Sequence, residues 1–454
     1  MKRKSSETSI IVRHLSDGTR VTAAVVLLML FTGSCTTTRP VLDTNDLSYL
    51  YNPMKNPVNP RYNITYPSDN QASLGIKFFG NELLFSEANP QGVPAASLSL
   101  TVKLFRTSGG TALADTSFYD LSIVKQAGTE EYVYHIPLNV NPGLEYVAEV
   151  KILDRLRSLV IQTFIPFNTA SVTNRYNYVA RGHFGKNELF NPVVRVDEYS
   201  NLVYLRGKAD SLYIAYYKPY TTKPDPPSMM LPEKAIDYGP DTIIALAYTD
   251  TLPMMFPKPG IYLCSVDSNL TDGFCFYNFG PLFPEMGTPE VMIEPLTYIA
   301  TQSELEEMRT APRPKVALDE FWIKCGGNVE KARELIRIYY TRVLYANYYF
   351  TSYKEGWRTE RGMIYMIYGP PDKVYKNPGG ETWGYRKPVL KSSWGTRYKV
   401  SEEYLYFNFK KKNSIFSEND YFLSKSETLV TFWEQAVASW KKGVVFRLDN
   451  PEDY

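Results

Sequence analysis

Glu360, Arg361, Asp372 and Glu381 are the residues of this sequence whose types and spacing could do chemistry. Two carboxylates held apart across a glycosidic bond can hydrolyse it, one protonating the leaving oxygen while the other serves as base or nucleophile. An arginine among them can instead pair with a carboxylate and fix a fold. Spacing along the chain does not set their separation in space, so both readings stand. No nucleophile elbow, phosphate-binding glycine loop or zincin helix accompanies them. The three histidines are His14, His135 and His183, and no cysteine stands near His135 or His183 at metal-ligand spacing. No metal site and no cofactor is expected.

The elements that must hold these residues are legible around them. Gly356 can take a positive φ that ends a preceding helix, Trp357 can pack back over the helix end, and Thr359 can hydrogen-bond the turn backbone. Glu360 and Arg361 are expected to pair with buried neighbours, while Gly362 allows a close pass before a strand from Met363 to Tyr368. Gly369-Pro370-Pro371-Asp372 then ends that strand, because successive prolines fix φ and remove ladder donors. Upstream, Ser303 and Glu306 read as a capping box. A helix is expected from about Lys315 to Cys325, and a longer one from Asn328 as N-cap to Phe350. Its apolar face carries Ala332, Leu335, Ile336, Tyr339, Val343, Leu344 and Ala346. Strand-like Tyr404 to Phe409 and a closing helix around Phe432 to Lys442 complete an α+β region, residues 290–454.

Before it the pattern has period two. Leu98, Leu100, Val102 and Leu104, and again Tyr146, Ala148, Val150 and Ile152, alternate with other residues between turns at Ser108-Gly109-Gly110 and Asn141-Pro142-Gly143. Short strands at such spacing predict an immunoglobulin-like β-sandwich over 66–170. Leu202 to Leu205, Leu212 to Tyr217 and Thr242 to Leu246 predict a second over 171–289. His135 falls on the face opposite Tyr134, Ile136 and Leu138. The fold class is multidomain: two all-β sandwiches, then an α+β domain.

The chain has 454 residues, with 50 Lys and Arg against 48 Asp and Glu, a formal charge of +2. That balance excludes a strongly basic nucleic-acid binder. The 36 Tyr, 23 Phe and 6 Trp suit pleated, half-buried surfaces. Cys264 and Cys275 lie in two strand-like runs flanking the turn Asp267 to Asp272. Either they face each other as a disulfide or both are free, buried thiols. Cys325 is expected to be unpaired and buried.

The amino terminus carries Lys2, Arg3, Lys4, Arg13 and Arg20 ahead of the apolar run Val21 to Phe31, then Gly33, Ser34 and Cys35. That run is too short to span a bilayer core, which takes ~20 residues. The arrangement resembles a bacterial lipoprotein signal, which implies removal of residues 1–34 and lipidation of Cys35; an uncleaved anchor and an ordinary secretory signal are the alternatives. Without residues 1–34, which hold five basic and two acidic residues, the formal charge falls from +2 to −1. Residues 35–65, rich in Asn and Pro, read as a tether. No acidic cluster follows Cys35, which favours the periplasmic face of the outer membrane over the cell surface.

The stretch Gly356-Trp357-Arg358-Thr359-Glu360-Arg361-Gly362 through Gly369-Pro370-Pro371-Asp372 resembles the GWxTD-domain family of Gram-negative envelope lipoproteins. Leu318-Asp319-Glu320-Phe321-Trp322, Tyr340 to Asn347 and Glu381-Thr382-Trp383-Gly384-Tyr385 are similar to that family's pattern as well, so the likeness covers about residues 291–454. Glu360 stands where the name-giving motif has Asp. A metal ligand or nucleophile would tolerate the extra methylene poorly, a salt bridge well. The resemblance implies no reaction. The expectation is a non-enzymatic, outer-membrane-anchored lipoprotein, a structural or interaction subunit of an envelope machinery for protein assembly, secretion or motility. It would bind the membrane through Cys35 and an outer-membrane protein or lipoprotein as partner. The alternative is a glycan- or peptidoglycan-binding lipoprotein.

Overall fold

The computed structural model of the protein describes residues 46–86, 92–182, 187–227, 239–387 and 404–446. The expected signal peptide, Cys35 and His183 lie outside the described residues. The described chain is multidomain, β sheets first and α+β after.

Seven strands make the first sandwich: β1 (Arg61–Ser68), β2 (Gln71–Phe79), β3 (Ala95–Arg106), β4 (Ala112–Val124), β5 (Glu131–Asn139), β6 (Glu145–Asp154) and β7 (Leu159–Asn168). They pair antiparallel as sheets β1-β2-β5 and β4-β3-β6-β7. In β3 the burial alternates residue by residue, with Leu98, Leu100, Val102 and Leu104 inside, which is what a sheet with one wet face requires. His135 is exposed on the outer face of β5.

The second sandwich repeats the layout on shorter strands: β8 (Tyr178–Gly182), β9 (Tyr199–Tyr204), β10 (Ser211–Tyr217), β11 (Thr242–Ala247), β12 (Met254–Met255), β13 (Gly260–Ser265) and β14 (Phe274–Asn278). Its sheets run β12-β9-β8 and β11-β10-β13-β14. Strand for strand this is the order of the first sandwich. In the four-stranded sheet, β13 and β14 bury both faces. Tyr262, Cys264 and Phe276 fill the space between the sheets, while Ile261, Leu263, Cys275 and Tyr277 face outward onto Tyr353 and Phe416 of the third region.

The third region holds helices α1 (Pro289–Ile293), α2 (Gln302–Thr310), α3 (Pro314–Gly326), α4 (Val329–Phe350), α5 (Glu360–Tyr368) and α6 (Glu427–Lys441). Against them lies the antiparallel sheet β15 (Lys373–Asn377), β16 (Gly380–Arg386), β17 (Tyr404–Lys411), β18 (Tyr421–Ser424). Asn328 caps α4, its side chain accepting from the Lys331 N–H at 2.8 Å. On α4 the expected face is buried except at Ile336, which is half-buried, and Leu344, which is exposed.

Four expectations are corrected, and of the two readings of Cys264 and Cys275 the free thiols hold. Met363 to Tyr368 is helix, not strand: Arg361 through Tyr368 are all buried, and an apolar run wrapped on every side has no period to tell the two apart. The capping box stands two residues earlier, with Thr301 and Glu304 bonding reciprocally at 3.3 and 2.8 Å. Gly356 has no positive φ, because α4 already ends at Thr351, an extended residue. Cys264 and Cys275 are free: the register pairs Cys264 with Phe274 and Leu263 with Cys275, and a shift of one residue puts the two thiols on opposite faces of the sheet. Finally, part of the expected tether is core. Leu47 and Tyr51, around the 3-10 turn Ser48–Tyr51, are buried among the residues of the third region. The Leu47 N–H donates to the Val374 carbonyl at 2.8 Å, and the Val374 N–H donates to Asp46 Oδ1 at 3.0 Å, so this strap extends the edge of β15.

Candidate functional site

The run Gly356 to Gly362 is a turn of close backbone contacts. The α4 residue Asn347 reaches both ways: its Nδ2 donates to the Pro284 carbonyl at 3.0 Å and its Oδ1 accepts from the Trp357 N–H at 3.2 Å. Thr359 is the N-cap of α5, accepting from the Gly362 N–H at 3.0 Å and donating to the Gly356 carbonyl at 2.7 Å. Both glycines are required by space. A Cβ on Gly356 would sit 1.9 Å from the Ala346 carbonyl oxygen, and one on Gly362 would sit 1.9 Å from that of Gly356. Trp357 is buried and its ring lies under the Arg358 guanidinium, 4.0 Å from the centroid.

At the far end of α5, Gly369 adopts φ +84° and its N–H donates to the Tyr365 carbonyl at 2.8 Å. Arg342 of α4 donates from Nη1 to the Met366 and Ile367 carbonyls at 2.9 and 2.8 Å, and the Trp440 indole donates to Ile367 at 3.1 Å. A cation on the last carbonyls also suits the helix dipole. Pro370 and Pro371 follow, so the Gly-Pro-Pro signal ends a helix here.

The carboxylates go to separate partners. Glu360 accepts from the Leu423 N–H of β18; burial pushes its carboxyl up, against the pull of that bond and of Lys354. Asp372 Oδ2 accepts from the Arg386 N–H at 2.8 Å. Glu381, 3% exposed, sits at the centre of the fold with Arg361, 2% exposed. Arg361 Nη1 and Lys376 Nζ each lie 3.1 Å from Glu381 Oε1. The Trp383 indole donates to Oε2 at 3.0 Å, and the Tyr51 hydroxyl lies 2.9 and 3.0 Å from the two oxygens as a forked donor. Burial alone would raise the Glu381 carboxyl, but the two cations and two donors bring it down to about 2. It is an anion at neutral pH with its oxygens engaged, unsuited to move a proton there. Arg361 also donates through Nη2 to Asn419 and lies 3.8 Å from the centroid of the Tyr421 ring.

Tyr51, Lys376, Trp383, Asn419 and Tyr421 are the members of this cluster that sequence reasoning missed. One signal was available: Glu381 and Trp383 are two apart on a strand, so a charged residue and a tryptophan share one face. Tyr51, 330 residues from Glu381, leaves no local trace. The Cys275 thiol, pushed up to about 12 by burial, is no nucleophile. Among the described residues no group of His, Cys, Asp and Glu is placed to hold a metal ion, and no helix is long and apolar enough to cross a membrane.

The family model of the GWxTD domain matches residues 260–442, beginning at the first residue of β13. No curated protein matches. Among solved structures, the chain is similar to a Bacteroides uniformis beta-glucuronidase at 16% identity, over 26% of this chain and 14% of that one, with a TM-score of 0.17. A glycosyl hydrolase family 2 member from Bacteroides cellulosilyticus matches at 11% identity, over 28% of this chain and 16% of that one, with a TM-score of 0.18. The matches thus span less than a fifth of either hydrolase. Glu381 on its arginine, the two close-approach glycines and the Thr359 cap all lie inside that match, and residues 260–442 carry a GWxTD domain.

Proposed function

We propose that this protein is a non-enzymatic interaction subunit of an outer-membrane machinery, held in the membrane by lipid on Cys35 and facing the periplasm. The observation that supports it best is β11. Among the described residues this strand is an open edge of its sheet, it carries no charge in Thr242 to Ala247, and Ile243 and Ile244 are 54% and 49% exposed. Natural edge strands are ordinarily blunted by charge, proline or a bulge, and an uncharged one offers backbone donors and acceptors for strand addition by a partner. The motif carboxylates, each engaged by the protein itself, are consistent with a fold signature in place of a reaction centre.

A tagged chain pulled down in detergent is expected to bring an outer-membrane protein or a second lipoprotein with it, and Ile244→Lys is expected to lose that partner while keeping the fold. Recovery of the chain alone would overturn the reading. A Cys35→Ala variant still in the membrane fraction would count against the lipid anchor. Glycan binding, the second reading, finds no platform of surface tryptophans, since the five described ones are all buried; its support is an open cleft of about 770 Å³ between the sandwiches and the α+β region.

A further inference from the structure

The sheet β15-β16-β17-β18 has two faces of different chemistry. One packs Val374, Trp383, Phe407 and Leu423 into the core of the third region. Strand alternation puts Lys373, Arg386, Tyr404, Tyr406, Lys410 and Phe422 on the other. Arg386 and Lys410 are exposed, Tyr406 is 40% exposed, and Lys373 and Phe422 are half-buried. Tyr404 lies between two of the cations: the Lys373 ammonium is 5.0 Å from its ring centroid, and Arg386 Nη2 donates to its hydroxyl at 3.2 Å.

This outer face has one sign of charge. Across the four strands its positions hold three cations and no carboxylate. The carboxylates at the rim are turned to backbone: Asp46 accepts from the Ser48 and Val374 N–H groups, and Asp372 from that of Arg386. The outer face of the first sandwich mixes its charges instead, with Asp120 on Arg155 and Glu149 opposite Lys103. The start of the chain lies beside the one-signed face. The strap seats Asp46 and Leu47 on the free edge of β15, and Asp46 is eleven residues from Cys35. Fully extended, that length reaches at most ~40 Å. A lipid on Cys35 therefore keeps the edge of this sheet near a bilayer, where Lys and Arg are attracted to anionic headgroups and tyrosines favour the headgroup level. An acidic protein would answer the charges too, but nothing would require its site to lie beside the tether.

We propose that the outward face of β15-β16-β17-β18 lies against the bilayer that holds the anchor. Lys373, Arg386 and Lys410 meet anionic lipid phosphates, and Tyr406 and Phe422 sit at the level of the headgroups. This orientation rests on lipid at Cys35 and adds to it a second, electrostatic contact with the membrane, so that the body is held in one attitude and does not swing freely on its tether.

The test reconstitutes the full-length lipidated chain into phosphatidylcholine vesicles with and without phosphatidylglycerol. Acetylation of its lysines by a membrane-impermeant reagent is then followed by mass spectrometry. With phosphatidylglycerol, Lys373 and Lys410 are expected to react about 5-fold more slowly than without it, the factor one cation gains at an anionic surface. Lys151 of the first sandwich is the control and is expected to react at one rate in both. Molar salt, which screens the attraction, and Arg386→Glu, at unchanged melting temperature, are each expected to return Lys373 and Lys410 to the faster rate. Equal rates in the two kinds of vesicle overturn the assignment of this face, and slowing that neither salt nor the variant relieves overturns it as well. Protection found in native envelopes but in neither vesicle overturns it in favour of a protein partner. A chain that fails to float with the vesicles overturns the lipid anchor, and this orientation with it.

Discussion

The two sandwiches have one strand order and opposite fates for their outer faces. In β6 of the first, Glu149 and Lys151 point outward while Val150 and Ile152 point in, and β3 beside it alternates in the same way. In β13, the corresponding strand of the second, every residue is buried. Its outward set packs on the third region, where the Tyr217 and Phe416 rings meet edge to face at 4.8 Å and the Tyr277 hydroxyl donates to the Phe416 carbonyl. Topology alone would put a domain boundary after β14. Burial puts β13 and β14 in two domains at once, and the family match likewise starts at Gly260. Where a domain ends is decided by which faces are dry.

The largest effect belongs to the domain that the second sandwich leans on. Arg361→Ala strands Glu381 in the core and is expected to cost about 3–5 kcal/mol of stability, measured by denaturant unfolding. Acid probes the same pair. The Glu381 carboxyl is depressed to about 2 from an ordinary 4.5, so its contribution is complete above the unfolded value and is lost as pH falls from about 4.5 towards 2. Glu381→Gln is expected to flatten that part of the stability curve.

Leu263→Ala, outward on β13, is expected to cost about 2–5 kcal/mol as a core truncation. Lys151→Ala, outward on β6, is expected to stay within about 0.5 kcal/mol. Equal costs for the two would erase the contrast between the sandwiches. Tyr51→Phe removes a donor to a buried carboxylate and is expected to cost about 2 kcal/mol. Smallest of all, a reducing agent is expected to leave the melting temperature unchanged, since Cys264 and Cys275 already face different cores; thiol titration under denaturing conditions would find both free.

What was readable in the sequence was whatever a short period encodes. Leu98 to Leu104 announced a half-buried strand, Asn328 an N-cap, and the runs around Cys264 and Cys275 a hairpin. Where burial is complete the period vanishes, so Met363 to Tyr368 gave no sign of being helical beyond its caps, Thr359 before and Gly369 after. The hairpin was found but its register was not, because one residue of slip changes no residue type yet exchanges the faces. The repeat of one strand order was hidden too, since β3 has 12 residues and β10 has 7. At the candidate site, Glu360 and Arg361 stood out by type, whereas Tyr51 and Asn419 depend on contacts made only after folding.

The strap from Asp46 to Tyr51 sets an order of events. Chains are made from the amino end, and domains ordinarily close as they emerge. This segment emerges ahead of the first sandwich, yet its seat on β15 and its hydroxyl's partner Glu381 come some 330 residues later. The first sandwich can close on its own while Tyr51 waits. Only when β16 arrives does the strap find its place, so the buried anion at the centre of the last domain also registers that the chain has been made at least through β16.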